Sequence, residues 1–287
     1  MICRNTPAIL ALALVFLTLS CEDSKMPVTT TSTNLSACLP DASARKLSQR
    51  TIYFGHQSVG YNILDGIRDL ARECPALALN ISETSYIGAL QGPFLAHSRI
   101  GRNGQPVSKI EDFSNAFRRR GETAVDVAFM KFCYTDFIEL AAVPGAFRSY
   151  AETLAALRQS SPGTTFVHVT VPLTAPANFL KVFVKDVIKR AVGRPVTGYE
   201  SKRAIAEFNE LIRKTYLGKE PVFDLASIES TQADGTLVMR REAGTVVYSL
   251  APEYTFDGAH LNEKGRRIVA LELLRFLAAL PEKATLK

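Results

Sequence analysis

The stretch IYFGHQSVGYNILDGI, residues 52–67, joins a short apolar run to a helical pattern through a polar turn. The residues before Gly55 are aromatic or β-branched, which is typical of a buried strand. After Ser58, apolar residues recur every three or four positions, as they do on one face of an α-helix. Ser58 therefore lies where a strand gives way to a helix. It is either a residue that caps the helix or a reactive hydroxyl at the edge of a sheet.

Strand and helix patterns alternate along the rest of the chain. The expected strands are residues 51–54, 76–82, 124–132, 164–171 and 221–225, and the expected helices are 59–73, 108–120, 146–160 and 262–280. This alternation predicts an α/β fold with a mainly parallel sheet of five strands, covered by helices on both faces. In such sheets ligands bind beyond the carboxyl ends of the strands, so functional residues are expected in the segments that follow strands.

Three segments interrupt the alternation. Residues 85–106 contain several glycines and are expected to be a long loop. Residues 172–199 carry an apolar stripe and a lysine stripe at helical spacing, which indicates a packing or lid helix, or else a helix that gates substrate or lies on a membrane surface. Residues 226–256 contain the pattern of a β-hairpin, expected to decorate the functional edge of the sheet.

The N-terminus has the pattern of an export signal. In residues 1–20, Arg4 precedes an apolar run too short to span a membrane, as in a secretory signal peptide. The sequence LTLSC ending at Cys21 is similar to the lipobox of bacterial lipoproteins, but its leucines stand two and four residues before the cysteine rather than three. We therefore expect export to the bacterial cell envelope with a lipid anchor on Cys21, with ordinary cleavage or an uncleaved anchor as alternatives. Residues 21–46 are expected to be a flexible tether, and residues 47–287 one domain.

Composition narrows the possible partners and cofactors. The formal net charge of +6 is mild for 287 residues, and the basic cluster at 117–121 is read as a helix end, so nucleic acid is not an expected partner. An oxidising compartment permits a disulfide between Cys38 and Cys74, although the sequence alone does not show one. The four histidines are far apart and no Cys/His spacing indicates a metal site, so neither metal nor cofactor is expected.

A carboxylate and an imidazole stand close together near the C-terminus, in YTFDGAHLNEKGRR (residues 254–267). A serine nucleophile needs a base within hydrogen-bond reach and a group that orients the base. Asp257 can accept a hydrogen bond from one ring nitrogen of His260 and leave the other nitrogen for Ser58. Alternatively, Asp257 only caps a turn and His260 only precedes a helix.

Ser58 after the first strand, together with DGAHLNEKG before the last helix, resembles the SGNH (GDSL-like) hydrolases. The resemblance implies a flavodoxin-like three-layer α/β/α fold and a catalytic triad of Ser58, His260 and Asp257. Members of that family include esterases, lipases and carbohydrate acetylesterases. The family nucleophile commonly sits in Gly-Asp-Ser, whereas Gln57 precedes Ser58 here.

The resemblance also implies two donors to an oxyanion. The family uses a glycine after the second strand, for which Gly101 is the candidate, with Asn103 close by and Gly88 and Gly104 as competing choices. A backbone N–H in this loop can aim at a developing negative charge.

The second family donor is an asparagine after the third strand, in the pattern Gly-x-Asn-Asp. That pattern falls on residues 133–136, where Asp136 matches and Thr135 replaces the asparagine. The hydroxyl of Thr135 can donate a hydrogen bond, and Asn103 is an alternative source of the donor.

Other chemistry-bearing residues are read as structural first. His56 is expected to be structural or to contact substrate, and His97 to be structural or to line the pocket. His168 lies in an apolar run and is expected to be a core histidine. Cys133 is expected to be buried and unreactive.

The sequence therefore predicts an exported serine hydrolase that acts on a small-molecule or glycan ester through an acyl-enzyme. An acyltransferase would use the same three residues and differ only in its acceptor. A surface lipoprotein that keeps the fold but only binds a glycan or a protein partner is the non-catalytic alternative.

Overall fold

Six parallel strands form the central sheet in the computed structural model, which describes residues 38–176, 197–242 and 245–282. They are β1 Thr51–His56, β2 Ile81–Glu83, β3 Phe94–Arg99, β4 Val127–Met130, β5 Thr165–Val169 and β6 Val222–Phe223. Their order is β2-β3-β1-β4-β5-β6, and all neighbours are parallel. The expected α/β fold with a parallel sheet is confirmed.

The expectation of five strands was wrong, because β3 lies inside residues 85–106, which were expected to be a loop. This strand pairs with both β2 and β1 and is buried over most of its length. Two of its buried residues are polar, His97 and Ser98, and each has a partner on β1: His97 contacts the ring of His56, and Ser98 bonds the Tyr53 hydroxyl at 2.8 Å. Because these two buried residues are polar, the sequence of β3 lacks the continuous apolar run that predicts a buried strand.

Helices flank the sheet in two packed groups. Their bounds are α1 Asp41–Ser48, α2 Ser58–Glu73, α3 Pro106–Arg118, α4 Val143–Ser160, α5 Thr197–Tyr216, α6 Leu225–Ser230 and α7 Glu263–Ala279. Helices α1, α2 and α6 pack on α7, whereas α4 packs on both α3 and α5. This is the arrangement of a three-layer α/β protein.

Helices α2 and α7 approach closely. They run in the same direction, since residues later in α2 contact residues later in α7. A Cβ on Gly66 would lie 2.3 Å from the carbonyl oxygen of Arg266, so glycine is needed at that crossing. Further along, Asp69 pairs with Arg266 at 2.7 Å and Glu73 with Arg267 at 2.6 Å. The N-terminal ends of α2 and α7 therefore lie at the same end of the molecule.

The N-terminal boundary of the folded domain differs from the expected one. Residues 38–46, assigned to the tether from their polar neighbours, pack on the domain because Leu39, Ala44 and Leu47 supply a buried apolar stripe. A disulfide joins Cys38 to Cys74 at the end of α2. The predicted signal peptide, Cys21 and the rest of the tether lie outside the described residues.

Two further expectations concern the second half of the chain. The predicted hairpin is confirmed as the antiparallel strands β7 Met239–Glu242 and β8 Thr245–Tyr248. Most of the amphipathic stretch at 172–199 lies outside the described residues, and α5 follows it. No helix within the described parts of the chain is long and apolar enough to cross a membrane.

Candidate active site

The loop before α7 holds Asp257 and His260 in a closed turn. One carboxylate oxygen of Asp257 accepts hydrogen bonds from the backbone N–H groups of Ala259 at 2.9 Å and His260 at 2.7 Å. Its other oxygen lies 2.6 Å from His260 Nδ1. Gly258 adopts a φ of +89°, a left-handed conformation that favours glycine and lets the chain reverse within three residues.

The environment of Asp257 keeps it ionised. Partial burial raises the pKa of this carboxyl, but the hydrogen bonds from the His260 backbone and ring and from Ala259 outweigh burial and lower the pKa to about 2. A carboxylate accepts only, so Nδ1 of His260 carries a proton, and in the tautomer with that single proton Nε2 is an acceptor. The His260 side chain is 30% exposed.

Ser58 is the first residue of α2 and lies at the carboxyl end of β1. One helical turn later, Asn62 accepts the backbone N–H of Leu261, the neighbour of His260, at 3.3 Å. A turn advances about 5.4 Å, so this bond holds the histidine loop within reach of the start of α2. Among the described residues, neither Ser58 Oγ nor His260 Nε2 has a hydrogen-bond partner, so the serine–histidine hydrogen bond is not formed in this structure. Catalytic hydrogen bonds are often long without substrate.

Backbone donors are concentrated at the start of α2. The N–H groups of the first helical turn have no acceptor in the preceding turn, and the helix dipole makes this end positive. The N–H of Gly60 donates a hydrogen bond to the Gln57 carbonyl oxygen at 2.7 Å. Ser58 is at the first helical position, so its N–H is one of these donors.

The loop after β3 is fixed to the residue before Ser58. The side-chain amide of Gln57 donates to the carbonyl oxygens of Ile100 at 2.7 Å and Gly101 at 2.9 Å. The N–H of Gly101 donates to Asp112 at 2.7 Å, so this group is engaged and does not serve as an oxyanion donor in this geometry. Gly101 instead has a positional role: its φ is +51°, and a Cβ there would lie 2.5 Å from the backbone nitrogen of Lys109.

A buried ion pair joins the loops after β3 and β4. Lys109 Nζ lies 2.6 Å from Asp136 and 2.9 Å from the Oδ1 of Asn103, and both charged side chains of the pair are fully buried. Asp136 also accepts the N–H groups of Cys133 at 2.6 Å and Gly104 at 2.9 Å. Asn103 is exposed, with its NH2 group away from the lysine.

Thr135 lies in the same loop after β4. Its hydroxyl oxygen is buried and has no hydrogen-bond partner within the described ranges. A buried hydroxyl without a partner is uncommon, because leaving it unsatisfied costs about 1–3 kcal/mol.

Two aromatic residues flank the His260 ring. Tyr134 contacts it edge-on with ring centroids 6.1 Å apart, and Phe256 stacks on it with centroids 6.3 Å apart. Phe256 is 72% exposed, which places an apolar ring at the rim of the site. No pattern in the sequence singles out Tyr134 or Lys109, because each contacts a residue far along the chain, His260 for Tyr134 and Asp136 for Lys109.

The two histidines on neighbouring strands β1 and β3 are interior residues. His56 and His97 are fully buried, and His56 Nε2 lies 3.1 Å from His97 Nδ1. His56 Nδ1 lies 3.0 Å from the Gln57 carbonyl oxygen, which can only accept, so this nitrogen carries a proton. Burial, the largest influence, lowers the pKa of His56 to about 3. Both residues are therefore buried within the protein, as expected of structural histidines.

The remaining candidates agree with the sequence-based expectation. His168 is buried, with the Tyr150 hydroxyl at 2.9 Å on one ring nitrogen and Glu220 at 2.9 Å on the other, which confirms a core histidine. Cys133 is a buried free cysteine. No group of three or more metal-ligating side chains comes together in the parts of the chain that the structure describes.

Comparison with known proteins gives structural likenesses only. No protein-family model and no curated protein sequence matches the chain. Among solved structures, a Streptococcus pneumonia protein described in connection with platelet activating factor matches with a TM-score of 0.49 and 16% identity, over 83% of this chain and 90% of that one. The periplasmic domain of a lipopolysaccharide acetyltransferase from Salmonella ser. Paratyphi A matches with a TM-score of 0.44 and 11% identity, over 80% and 84%. The salicylyl-acyltransferase SsfX3 of a tetracycline biosynthetic pathway matches with a TM-score of 0.37 and 14% identity, over 82% and 57%. At these TM-scores the matches carry no argument about activity.

Proposed function

We propose that this chain is a serine hydrolase of the SGNH type that cleaves an ester through an acyl-enzyme, with Ser58 as nucleophile, His260 as base and Asp257 as the orienting carboxylate. The observation that carries the proposal is the 2.6 Å contact between Asp257 and His260 Nδ1, in a loop bonded through Leu261 N–H to Asn62, one turn from Ser58. Within the described residues, this arrangement leaves one nitrogen of the His260 ring and the Ser58 hydroxyl without a hydrogen-bond partner.

The chemistry proceeds in two halves. Ser58 Oγ attacks the ester carbonyl carbon while its proton passes to His260 Nε2, and Asp257 stabilises the imidazolium. The tetrahedral intermediate collapses, the bond to the alcohol oxygen breaks, and the alcohol takes the proton from His260. Water then attacks the acyl group on Ser58, losing a proton to His260 that returns to Ser58 as the acid leaves.

Three donors are assigned to the oxyanion. They are the backbone N–H of Ser58 at the positive end of α2, the NH2 group of Asn103 and the hydroxyl of Thr135. Thr135 is included because it stands directly before Asp136, where the related family has its asparagine donor. Gly101 is not included, because Asp112 already accepts its N–H.

The substrate is proposed as an ester of a small molecule or a glycan, the acylated carbohydrate following from the family resemblance. Transfer of the acyl group to an alcohol acceptor uses the same residues and is separated from hydrolysis by adding acceptors. Export with a lipid anchor at Cys21 remains part of the proposal. The Cys38–Cys74 disulfide supports an oxidising compartment, where such bonds persist.

Hydrolysis of 4-nitrophenyl acetate by the purified protein tests the proposal. The wild type is expected to release nitrophenol with a burst that reports acylation, and Ser58→Ala to lose both the burst and turnover. The matched control is Ser82→Ala on edge strand β2, whose hydroxyl contacts only Asn80 and whose loss is expected to leave the rate unchanged. Equal rates for wild type and Ser58→Ala, with both folded, would reject Ser58 as the nucleophile.

A further inference from the structure

Lys109 is a charged residue in a place where charge is costly. It lies on α3 with its side chain fully buried, and a buried ammonium destabilises a fold unless its donors find acceptors. Its two acceptors are Asp136 at 2.6 Å and the amide oxygen of Asn103 at 2.9 Å. The carboxylate neutralises the charge, and the Asn103 amide oxygen accepts a second of the three ammonium donors.

The chemistry of the two groups fixes the orientation of the Asn103 amide. An ammonium has three donors and no acceptor, so the atom that faces Lys109 is the amide oxygen. The NH2 group of Asn103 then points away from the lysine. A positive charge on the amide oxygen also draws electrons from the NH2 group and strengthens it as a donor.

The ion pair itself is anchored to both loops of the site. Asp136 accepts the N–H groups of Gly104 and Cys133, which lie in the loops after β3 and β4. The Lys109 ammonium is therefore held in place by an anchored carboxylate and does not reach a substrate. Its effect on the site passes through Asn103.

We propose that Lys109 is a positioning residue, which holds the amide of Asn103 with its NH2 group directed at the oxyanion and polarises it for that task. The proposal rests on the proposed function and deepens it. When Ser58 Oγ bonds to the carbonyl carbon, the carbonyl oxygen takes up the electron pair and becomes negative, and the Asn103 NH2 group donates to it. Because this charge exists only in the transition state and the intermediate, Lys109 acts on kcat and not on KM.

A double-mutant cycle on ester hydrolysis separates this role from a structural one. Its four members are the wild type, Lys109→Met, Asn103→Ala and the double variant, each measured for kcat and KM. Asn103→Ala is expected to lower kcat about 10²- to 10³-fold, the usual effect of removing an oxyanion donor. Lys109→Met is expected to lower kcat at least tenfold in the wild type, with little change in KM, and less than twofold in the Asn103→Ala background. Equal losses in both backgrounds would overturn the proposal.

Two further variants guard the interpretation. Lys109→Gln keeps an N–H donor without the charge. The cycle is repeated with this variant in case Lys109→Met does not fold. Its effect on kcat is likewise expected to disappear in the Asn103→Ala background. Lys46→Met removes a lysine outside the proposed site, which donates to the backbone carbonyl of Leu280, and is expected to leave kcat unchanged. An active wild type with additive cycles would reject the role of Lys109 alone, whereas an inactive wild type would reject the proposed function.

Discussion

Breaking the Cys38–Cys74 disulfide with Cys38→Ala is expected to destabilise the domain substantially. The bond closes a loop with a sequence separation of 36 residues that contains α1, β1 and α2. In the chain-entropy model, releasing a loop of that length adds about 13 cal/mol/K to the unfolded state, or about 4 kcal/mol at 25 °C. For a domain of this size, about 4 kcal/mol corresponds to a fall in Tm of about 8–16 °C.

Cys38 is the better site for this change, because its side chain is exposed whereas Cys74 is buried. Urea unfolding of wild type and Cys38→Ala, each with and without reductant, measures the free energy of unfolding. Reductant is expected to lower the free energy of unfolding of the wild type to that of Cys38→Ala. It is expected to leave the free energy of unfolding of the variant unchanged. The contacts of Lys46 and Arg50 with the carbonyl oxygens at the end of α7 remain in both proteins. A difference below about 1 kcal/mol would refute the loop-closure reasoning.

Three further outcomes are expected. Asp257→Asn removes the carboxylate that orients His260 and is expected to lower kcat by about 10⁴-fold, as in the serine protease triad, with a Tm close to wild type; a loss below tenfold would contradict the assigned role. Burial lowers the pKa of His56 to about 3, so its contribution to stability is complete above about pH 6.5 and is lost as the pH falls through about 3. Unfolding curves across that range check this, and a free energy of unfolding that does not change with pH would contradict it. Gly60→Ala would place a Cβ 2.3–2.4 Å from the His56 ring and is expected to lower the free energy of unfolding by about 1–3 kcal/mol. Gly145→Ala, in an open helical position, is expected to be neutral or stabilising. Equal changes in Tm for the two variants would refute the packing explanation.

The parts of the fold that were predictable from sequence depend on local patterns. The strand and helix around residues 52–67 and the last helix show apolar residues at the spacing of their own structure, and they were found close to their observed bounds. Strand β3 was missed because His97 and Ser98 are buried polar residues whose partners lie on β1, more than 40 residues earlier. A residue whose burial depends on a distant partner leaves no periodic signal.

The same distinction applies to the candidate site. Asp257 and His260 are three residues apart, so their contact was predictable from spacing alone. Lys109 looks like an ordinary helical lysine in the sequence, and only the fold brings Asp136, 27 residues later, against its ammonium. The engagement of the Gly101 N–H by Asp112 likewise depends on how the loop after β3 folds back on α3.

Mass spectrometry of the purified protein after treatment with a fluorophosphonate probe tests the central claim most directly, with wild type beside Ser58→Ala. Such probes react only with a serine whose hydroxyl is activated by a neighbouring base. The account predicts one adduct on the wild type, located on the peptide that contains Ser58, and none on the folded Ser58→Ala variant. An adduct of equal yield on both proteins, or none on a wild type that hydrolyses no small ester, would contradict it.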